Sequence, residues 1–486
     1  MTHDRTSVRK TFNFEDQRRF AALSGDRNPI HLDPIAARRT QAGAPVVHGM
    51  HLLLWALDSF APAATQPVRR IRARFNKFVY VGETATLVLP ETRSDAAKLS
   101  IAIEGMAVSN LTIDLGSAGT GPVALEQLSV VDLPEEPLNV AFERMADVSG
   151  RLPLNTHATA VAELFPRAAA WLGARRLAAM ATSSAVVGML CPGLHSIYTS
   201  LSADWCDEGN AADEIAFRVT SMDARFRLVR LSIAGGGITG TVESLARVPP
   251  TAQASMVSLA GVAARDEFSG SVALIIGGSR GIGELTAKVI ATGGGHVVMT
   301  YSVGRNDALA VADEIRAAGG ACDVIAYDVR KPASAQLAAL TQAPSHLYYF
   351  ASPIIFGRQS DAFSRTKLNQ FMEVYLDGFH ELLRSLRDKC PNLSAFYPSS
   401  VAVVERPRGM TEYAMAKAAG EILCADMNAA LAPLHITVAR LPRMETDQTA
   451  TFIPVESHSA LEVMLPLIRE VQGRAHSVAK EPEPKL

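Results

Sequence analysis

Residues 21–31, AALSGDRNPIH, place an acid, Asp26, five positions before an imidazole, His31, across an Asn28-Pro29 turn. Asn and Pro stiffen a loop of this kind, so the carboxyl group and the ring can face one cavity. Held together, a carboxyl group and a histidine can share proton transfer, one removing a proton and the other delivering one to a leaving hydroxyl. Taken singly, Asp26 reads as a helix N-cap and His31 as a half-buried structural residue. Downstream, VVHGM at 46–50 sets Gly49 at the start of a long apolar, helix-like stretch. Free backbone N–H groups and the positive end of the helix dipole at such a point can stabilise an enolate-like oxygen on a thioester.

A second set of reactive residues lies in the C-terminal half. Gly277, Gly281 and Gly283 form G-x-x-x-G-x-G, with Ser279, Arg280 and Ile282 inside the loop, after an apolar run and before a helical pattern. A pyrophosphate can approach backbone amides and a positive helix end at that place. The next apolar run ends in Tyr301 and Ser302 without an acid to hold a ribose 2′-hydroxyl, and this absence, with Arg280, points to NADPH rather than NADH. Farther on, Tyr413 and Lys417 fall one helical turn apart on one face, and Ser400 precedes Tyr413 by thirteen residues. A tyrosine whose pKa is lowered by a nearby ammonium can protonate a ketone oxygen as hydride arrives, while a serine hydroxyl holds that oxygen.

The elements that must position these groups differ between the two halves. From 268 to 455, short apolar runs at 271–276, 295–300 and 322–327 alternate with helical patterns, which implies βαβαβ units and a parallel sheet. In the first 260 residues an apolar stretch, 46–60, precedes alternating segments. The pattern recurs with an apolar stretch at 181–201, where VVHGM returns as VVGM at 186–189 without its histidine. One helix followed by antiparallel strands, twice, reads as a tandem repeat of one α+β unit. Linkers are expected at 116–127 and 246–255, where Pro, Gly and polar residues gather, and the tail from 473 lacks apolar periodicity and reads as disordered.

Composition bounds the rest. A chain of 486 residues with 48% hydrophobic and 20% charged residues is a globular protein of two to four domains. Lys+Arg 47 against Asp+Glu 49 leaves a formal net charge of −2, which excludes global attraction to nucleic acid or an anionic membrane. The five cysteines are scattered without a C-x-x-C pair, so neither a disulfide framework nor a metal site is expected. A polar N-terminus and the lack of a long unbroken apolar run suggest a cytoplasmic protein.

SGDRNPIHLDP followed by AGAPVVHGM closely resembles the MaoC-like, (R)-specific enoyl hydratase family of hot-dog proteins, over roughly residues 10–115. The resemblance implies that Asp26 and His31 are the catalytic pair and that Gly49 donates to the thioester carbonyl. RFNKFVYVGETATLVL looks like the family's F-x-x-P-V-x-x-G-D strand pair, with Lys77-Phe78 where a proline is usual. The second repeat offers only His195 and Asp204 as polar candidates, so it reads as a non-catalytic half that helps form the acyl tunnel. The C-terminal half resembles the short-chain dehydrogenase/reductase family, particularly its 3-oxoacyl thioester reductases. That resemblance implies Tyr413 as acid, Lys417 as its pKa modulator and ribose anchor, Ser400 as substrate clamp, Asp328-Val329 beside the adenine and Thr446 at the nicotinamide carboxamide. Three departures stand out: Tyr349-Phe350-Ala351-Ser352 in place of N-N-A-G, Tyr375 in place of a tetrad asparagine, and Pro442-Arg443 in place of P-G.

The expected architecture is an α+β double hot dog followed by an α/β Rossmann-type doubly wound parallel sheet. Its parts are a catalytic hot dog (1–125), a non-catalytic one (126–262), an NADP-binding reductase domain (268–455), and a C-terminal helix with a disordered tail (456–486). The function expected is NADPH-dependent reduction of a 3-oxoacyl thioester followed by dehydration of the (R)-3-hydroxyacyl product, in a homodimer whose substrates ride on acyl carrier protein or coenzyme A. Two alternatives are the degradative direction, hydration and then oxidation, and a chain in which one half is a degenerate scaffold.

Overall fold

The computed structural model describes residues 7–61, 66–89, 95–117, 128–154, 158–206, 213–355, 363–387, 389–447, 449 and 455–478. The chain forms two compact units that divide between Pro249 and Pro250. Among the described residues no helix is long and apolar enough to cross a membrane.

In the first unit, strands β1 (Ser7–Thr11), β2 (Val68–Phe75), β3 (Thr84–Val88), β4 (Ala96–Ile103), β5 (Met106–Leu115), β6 (Ser149–Pro153), β7 (Ser196–Trp205), β8 (Glu214–Asp223), β9 (Leu228–Gly235) and β10 (Ile238–Ala246) share one antiparallel sheet. Its order is β1-β3-β4-β5-β2-β7-β10-β9-β8-β6, so the second five strands, taken from the opposite edge inward, repeat the order of the first five and β2 meets β7 at the centre. The helix Gly49–Phe60 buries Leu53, Leu54 and Leu57 with Ile71, Leu99 and Ile113 of the sheet. The helix Ala174–Ala185 adds Met180, Ala181 and Ala185 to the same core. The first of these helices starts three residues later than the apolar run, because Val47 still pairs through its N–H with Val79 O at 2.8 Å. The apolar stretch 181–201 is not one helix: it ends at Leu190, and Pro192 and Gly193 turn the chain into β7.

The second unit holds β11 (Val272–Ile276), β12 (His296–Tyr301), β13 (Ala321–Ala326), β14 (His346–Tyr349), β15 (Ser394–Ser400) and β16 (His435–Leu441), all parallel, in the order β13-β12-β11-β14-β15-β16. Ala273 and Ile275 of β11 enter one apolar cluster with Leu285, Ile290 and Ile468. Leu274 and Ile276 enter another, with Phe379, Leu382 and Leu386. Parallel strands need long crossovers, and the helices that supply them leave every strand's carboxyl end on one edge, with the order reversing between β11 and β14.

Two expected boundaries move. Met256, Leu259 and Ala263 bury in the core of the second unit, so the first unit ends before 262. The helix Ala460–Val478 buries Met464, Ile468 and Val471 in that same core, so it belongs to the second unit, and residues 473–478, read as tail, are helical. The linker expected at 116–127 lies outside the described residues from 118 on, as does the tail beyond 478.

Candidate functional site

A capping box of Asn13 and Asp16 starts the helix Phe14–Ser24, and Gly25 ends it in the left-handed region at φ 80. A residue with a Cβ adopts that conformation at a cost, so glycine sets where the chain turns into Asp26. Asn28 then caps the short helix Pro29–Leu32, its Oδ1 accepting from the Ile30 N–H at 3.2 Å. This turn brings Asp26, only 2% exposed, together with His31 and His48, whose ligand atoms all lie within 4.8 Å of one another. The His31 and His48 rings stack with centroids 3.7 Å apart. His31 Nδ1 is 2.8 Å from Val46 O; a carbonyl only accepts, so Nδ1 carries the proton and Nε2 keeps a lone pair.

Three such groups could hold a metal ion; His48 Nδ1 lies 3.0 Å from Gln17 Oε1 and its Nε2 3.1 Å from Asp26 O. His48 is also the N-cap of the helix Gly49–Phe60 and makes no side-chain bond to its first amides, which leaves them open beside Gly49. The Phe75 ring lies 3.3 Å from where a Cβ on Gly49 would sit.

Burial raises the Asp26 carboxyl pKa, against His31, the Ser184 hydroxyl and the Asn28 N–H, which lower it. Burial also pushes His31 down, with Asp26 pulling it up. Both shifts favour the uncharged pair, a carboxylic acid facing a neutral imidazole. Burial and the neighbouring His31 hold His48 well below the usual histidine range.

Sequence reasoning missed the contribution of the second repeat. Ser184 Oγ donates to Asp26 Oδ2 at 2.6 Å, while the Asn28 N–H donates to Oδ1 at 3.2 Å. Asn28 Nδ2 reaches Gly188 O at 2.9 Å and Gly193 O at 3.1 Å. Gly188 is the glycine of the returning VVGM, and a Cβ there would stand 2.2 Å from Asp26 Oδ1. The repeated motif was the available signal, and only the fold shows that it packs on the acid of the other repeat. As for the two polar candidates of the second repeat, Arg70 Nε binds Asp204 at 2.5 Å. His195 is pushed down to about 4 by burial and by two arginines, Arg247 and Arg227.

In the second unit the predicted residues gather at the carboxyl edge of the sheet. Gly277 (φ 80) and Gly281 (φ 58) bound the loop between β11 and the helix Gly281–Thr292, whose N-cap, Arg280, makes no side-chain bond to the first amides. A Cβ on Gly283 would stand 2.3 Å from Gly277 O, so only glycine lets the helix start this close to the strand. Open amides over glycines suit a phosphate, and the cradle therefore fits a dinucleotide. Ser279 lies within this loop and Ile282 in the first turn of the helix, and Arg280 Nη1 is 3.8 Å from Asp447 Oδ2. Thr446 Cγ2 is 3.9 Å from where a Cβ on Gly281 would sit. Tyr301 ends β12, with Ser302 exposed after it. Asp328 and Val329 follow β13, where the Asp328 N–H donates to Gln336 Oε1 at 2.7 Å.

Ser400 closes β15 and Tyr413 lies on the helix Thr411–Ala430; Tyr413 is 9% exposed and Lys417, one turn on, 4%. Lys417 Nζ donates to Pro398 O at 2.6 Å and lies 3.8 Å from the Tyr375 ring centroid, 5.1 Å from that of Tyr397 and 5.8 Å from that of Tyr413. Burial brings its pKa down to about 7. The expected lowering of Tyr413 is not what this pocket produces: burial raises it, with the Ser400 hydroxyl pulling down. A dry pocket disfavours phenolate, and the ammonium that would offset this is losing its own charge near neutrality. Of the departures, Tyr375 OH bonds Ser352 Oγ at 2.7 Å, Tyr349 OH donates to Val374 O at 2.6 Å, and Arg443 bonds Thr449 O.

Comparison with known proteins matches both regions. The MaoC like domain family matches residues 2–108, and the short chain dehydrogenase family matches residues 271–351. The (R)-specific enoyl-CoA hydratase of Aeromonas caviae is 32% identical over 129 residues, 26% of this chain and 89% of that protein. A 3-oxoacyl (acyl-carrier-protein) reductase from Agrobacterium tumefaciens with NADP bound is similar at 25% identity and a TM-score of 0.34, over 38% of this chain and 75% of that one. A short chain dehydrogenase from Burkholderia cenocepacia in complex with NADP is similar at 23% identity and a TM-score of 0.38, over 43% of this chain and 94% of that one.

Proposed function

From a chain that belongs to the MaoC-like, (R)-specific enoyl hydratase family and carries a short-chain dehydrogenase domain behind it, we propose two consecutive steps on an acyl thioester. The second unit reduces a 3-oxoacyl thioester with NADPH to the (R)-3-hydroxyacyl form, and the first removes water to give the trans-2-enoyl thioester. The protein is thus a bifunctional oxidoreductase and lyase. The first unit is read as a double hot dog, on the repeated strand order, and the second as a doubly wound sheet, on its two apolar faces. Substrates on coenzyme A or acyl carrier protein, a homodimer and a cytoplasmic location complete the reading.

The observation that carries the dehydration step is the buried acid Asp26 clustered with His31, whose Nδ1 is engaged by Val46 O so that Nε2 keeps a lone pair. His31 takes the proton from the carbon beside the thioester carbonyl, and the freed electron pair forms the carbon–carbon double bond. The bond from the next carbon to its hydroxyl breaks as Asp26 delivers a proton to that oxygen, which leaves as water. The open amides at Gly49 suit the thioester oxygen while it carries charge. Passage of the proton from His31 back to Asp26 restores the pair.

NADPH, held on the glycine loop, would supply the hydride for reduction. Tyr413, kept protonated by burial, delivers its phenolic proton to the ketone oxygen. Ser400 hydrogen-bonds that oxygen. Lys417 stands beside Tyr413, its Nζ donating to Pro398 O and lying over the Tyr375 ring.

Incubation of the full chain with a short 3-oxoacyl coenzyme A thioester tests both steps. Consumption of NADPH, preferred over NADH, and a product mass reduced by one water are expected; no loss of NADPH absorbance would remove the reductase half. A clear preference for NAD+ with a hydroxyacyl substrate would favour the degradative direction. Gly188→Ala is expected to displace the Asp26 carboxyl and lower dehydration about a hundredfold with reduction unchanged. Native dehydration in that variant would mean that the carboxyl position is not critical.

A further inference from the structure

The second repeat of the first unit carries Thr182, Ser183 and Ser184, three buried polar residues, side by side in the last turn of the helix Ala174–Ala185 after the buried stretch 177–181. A buried hydroxyl needs a hydrogen-bond partner to offset its lost hydration. Ser183 finds one in the manner usual for helices, donating back to Met180 O at 2.7 Å. Ser184, 4% exposed, does not bond back along its own helix. Its hydroxyl crosses 158 residues of sequence to donate to Asp26 Oδ2 at 2.6 Å.

We propose that Ser184 is a positioning residue for the dehydration step, so that the repeat without its own acid and imidazole completes the catalytic centre of the other. The inference rests on the dehydratase reading. In that step Asp26 passes from carboxylic acid to carboxylate inside a dry pocket. Each of its oxygens faces one fixed donor: the Asn28 N–H on Oδ1 and the Ser184 hydroxyl on Oδ2. Donors aimed at charge as it develops lower the barrier, because no reorientation is needed when the proton leaves. Gly188, one turn beyond Ser184, leaves room for the carboxyl group and anchors Asn28 through its carbonyl. Ser184, Gly188 and the Asp26 loop thus form one assembly drawn from both repeats.

The test follows the full chain with a short (R)-3-hydroxyacyl coenzyme A thioester across pH. Ser184→Ala is expected to lower kcat for dehydration about tenfold to a hundredfold at unchanged KM. Since the acid form of Asp26 acts, loss of a donor to its carboxylate raises its pKa, and the pH above which activity falls moves upward. Ser184→Thr, which keeps the hydroxyl, is expected to restore both kcat and the pH limb. Unchanged kcat and pH limb in Ser184→Ala would overturn the assignment. So would a change confined to KM, or a threonine variant as impaired as the alanine one with the native unfolding temperature. An inert native chain would instead overturn the dehydratase reading itself.

Discussion

Tyr413→Phe is expected to lower ketone reduction about a hundredfold to ten-thousandfold, the range that a positioned general acid contributes, while dehydration of added (R)-3-hydroxyacyl thioester continues at its native rate. The substitution removes one oxygen and little else. Phe371 and Tyr375 pack edge-on against the ring, with centroids 5.7 and 5.8 Å away, and a phenyl group keeps those contacts. What is lost is the phenolic proton. Because burial holds Tyr413 above the ordinary tyrosine range, the native enzyme keeps its acid protonated through neutral and mildly alkaline pH, and reduction should not fall there through loss of that proton. The NADPH absorbance change with a 3-oxoacyl thioester measures both effects. Native rates in the phenylalanine variant would show that the proton comes from elsewhere.

Asp26→Asn is expected to have a comparable effect on the other half, a loss of dehydration of about a hundredfold to ten-thousandfold. Asparagine matches the shape of the acid and can still accept from Ser184, but it has no proton to give to a leaving hydroxyl. Reduction is expected to run normally, so a 3-oxoacyl thioester with NADPH accumulates the hydroxyacyl intermediate instead of the enoyl product. Mass analysis of the thioester distinguishes the two. Enoyl product formed at the native rate would remove Asp26 from its role and shift attention to His31 and His48.

The pairing of these two variants also separates the fused activities from a scaffold arrangement. A degenerate reductase half would show no NADPH loss in either variant. A degenerate hydratase half would stop at the hydroxyacyl thioester in the native chain as well.

Much of both centres was legible because local rules wrote it. The D-x-N-P-x-H spacing depends on a turn that Asn28 and Pro29 make by themselves, and Tyr413 and Lys417 share a face because an α-helix repeats every 3.6 residues. The loop at Gly277–Gly283 needs glycine twice for positive φ and once for close approach, a demand on residue type that survives in the sequence. The charge state of Tyr413 was not legible. A neighbouring lysine suggested a lowered pKa, but the sign follows from how dry the pocket is and how much charge Lys417 keeps over three tyrosine rings. The extent of the helix before β7 was misjudged for a related reason. Apolar residues from 181 to 201 look continuous, whereas the break at Pro192-Gly193 separates helix from strand.

The sequence alone determined which residue types stand ready: an acid and an imidazole on one turn, a glycine loop before a helix, and a serine, tyrosine and lysine at fixed intervals. Spacing within a turn, strand or helix is set by backbone geometry, so those relations do not wait for the rest of the chain. Only the tertiary structure decided that Ser184 and Gly188 belong to the site of Asp26, that His48 stacks on His31, and that Tyr375 lies under Lys417. These contacts join residues far apart in the chain, and they exist because β2 and β7 meet at the centre of one sheet and because crossovers bring the carboxyl ends of parallel strands to one edge.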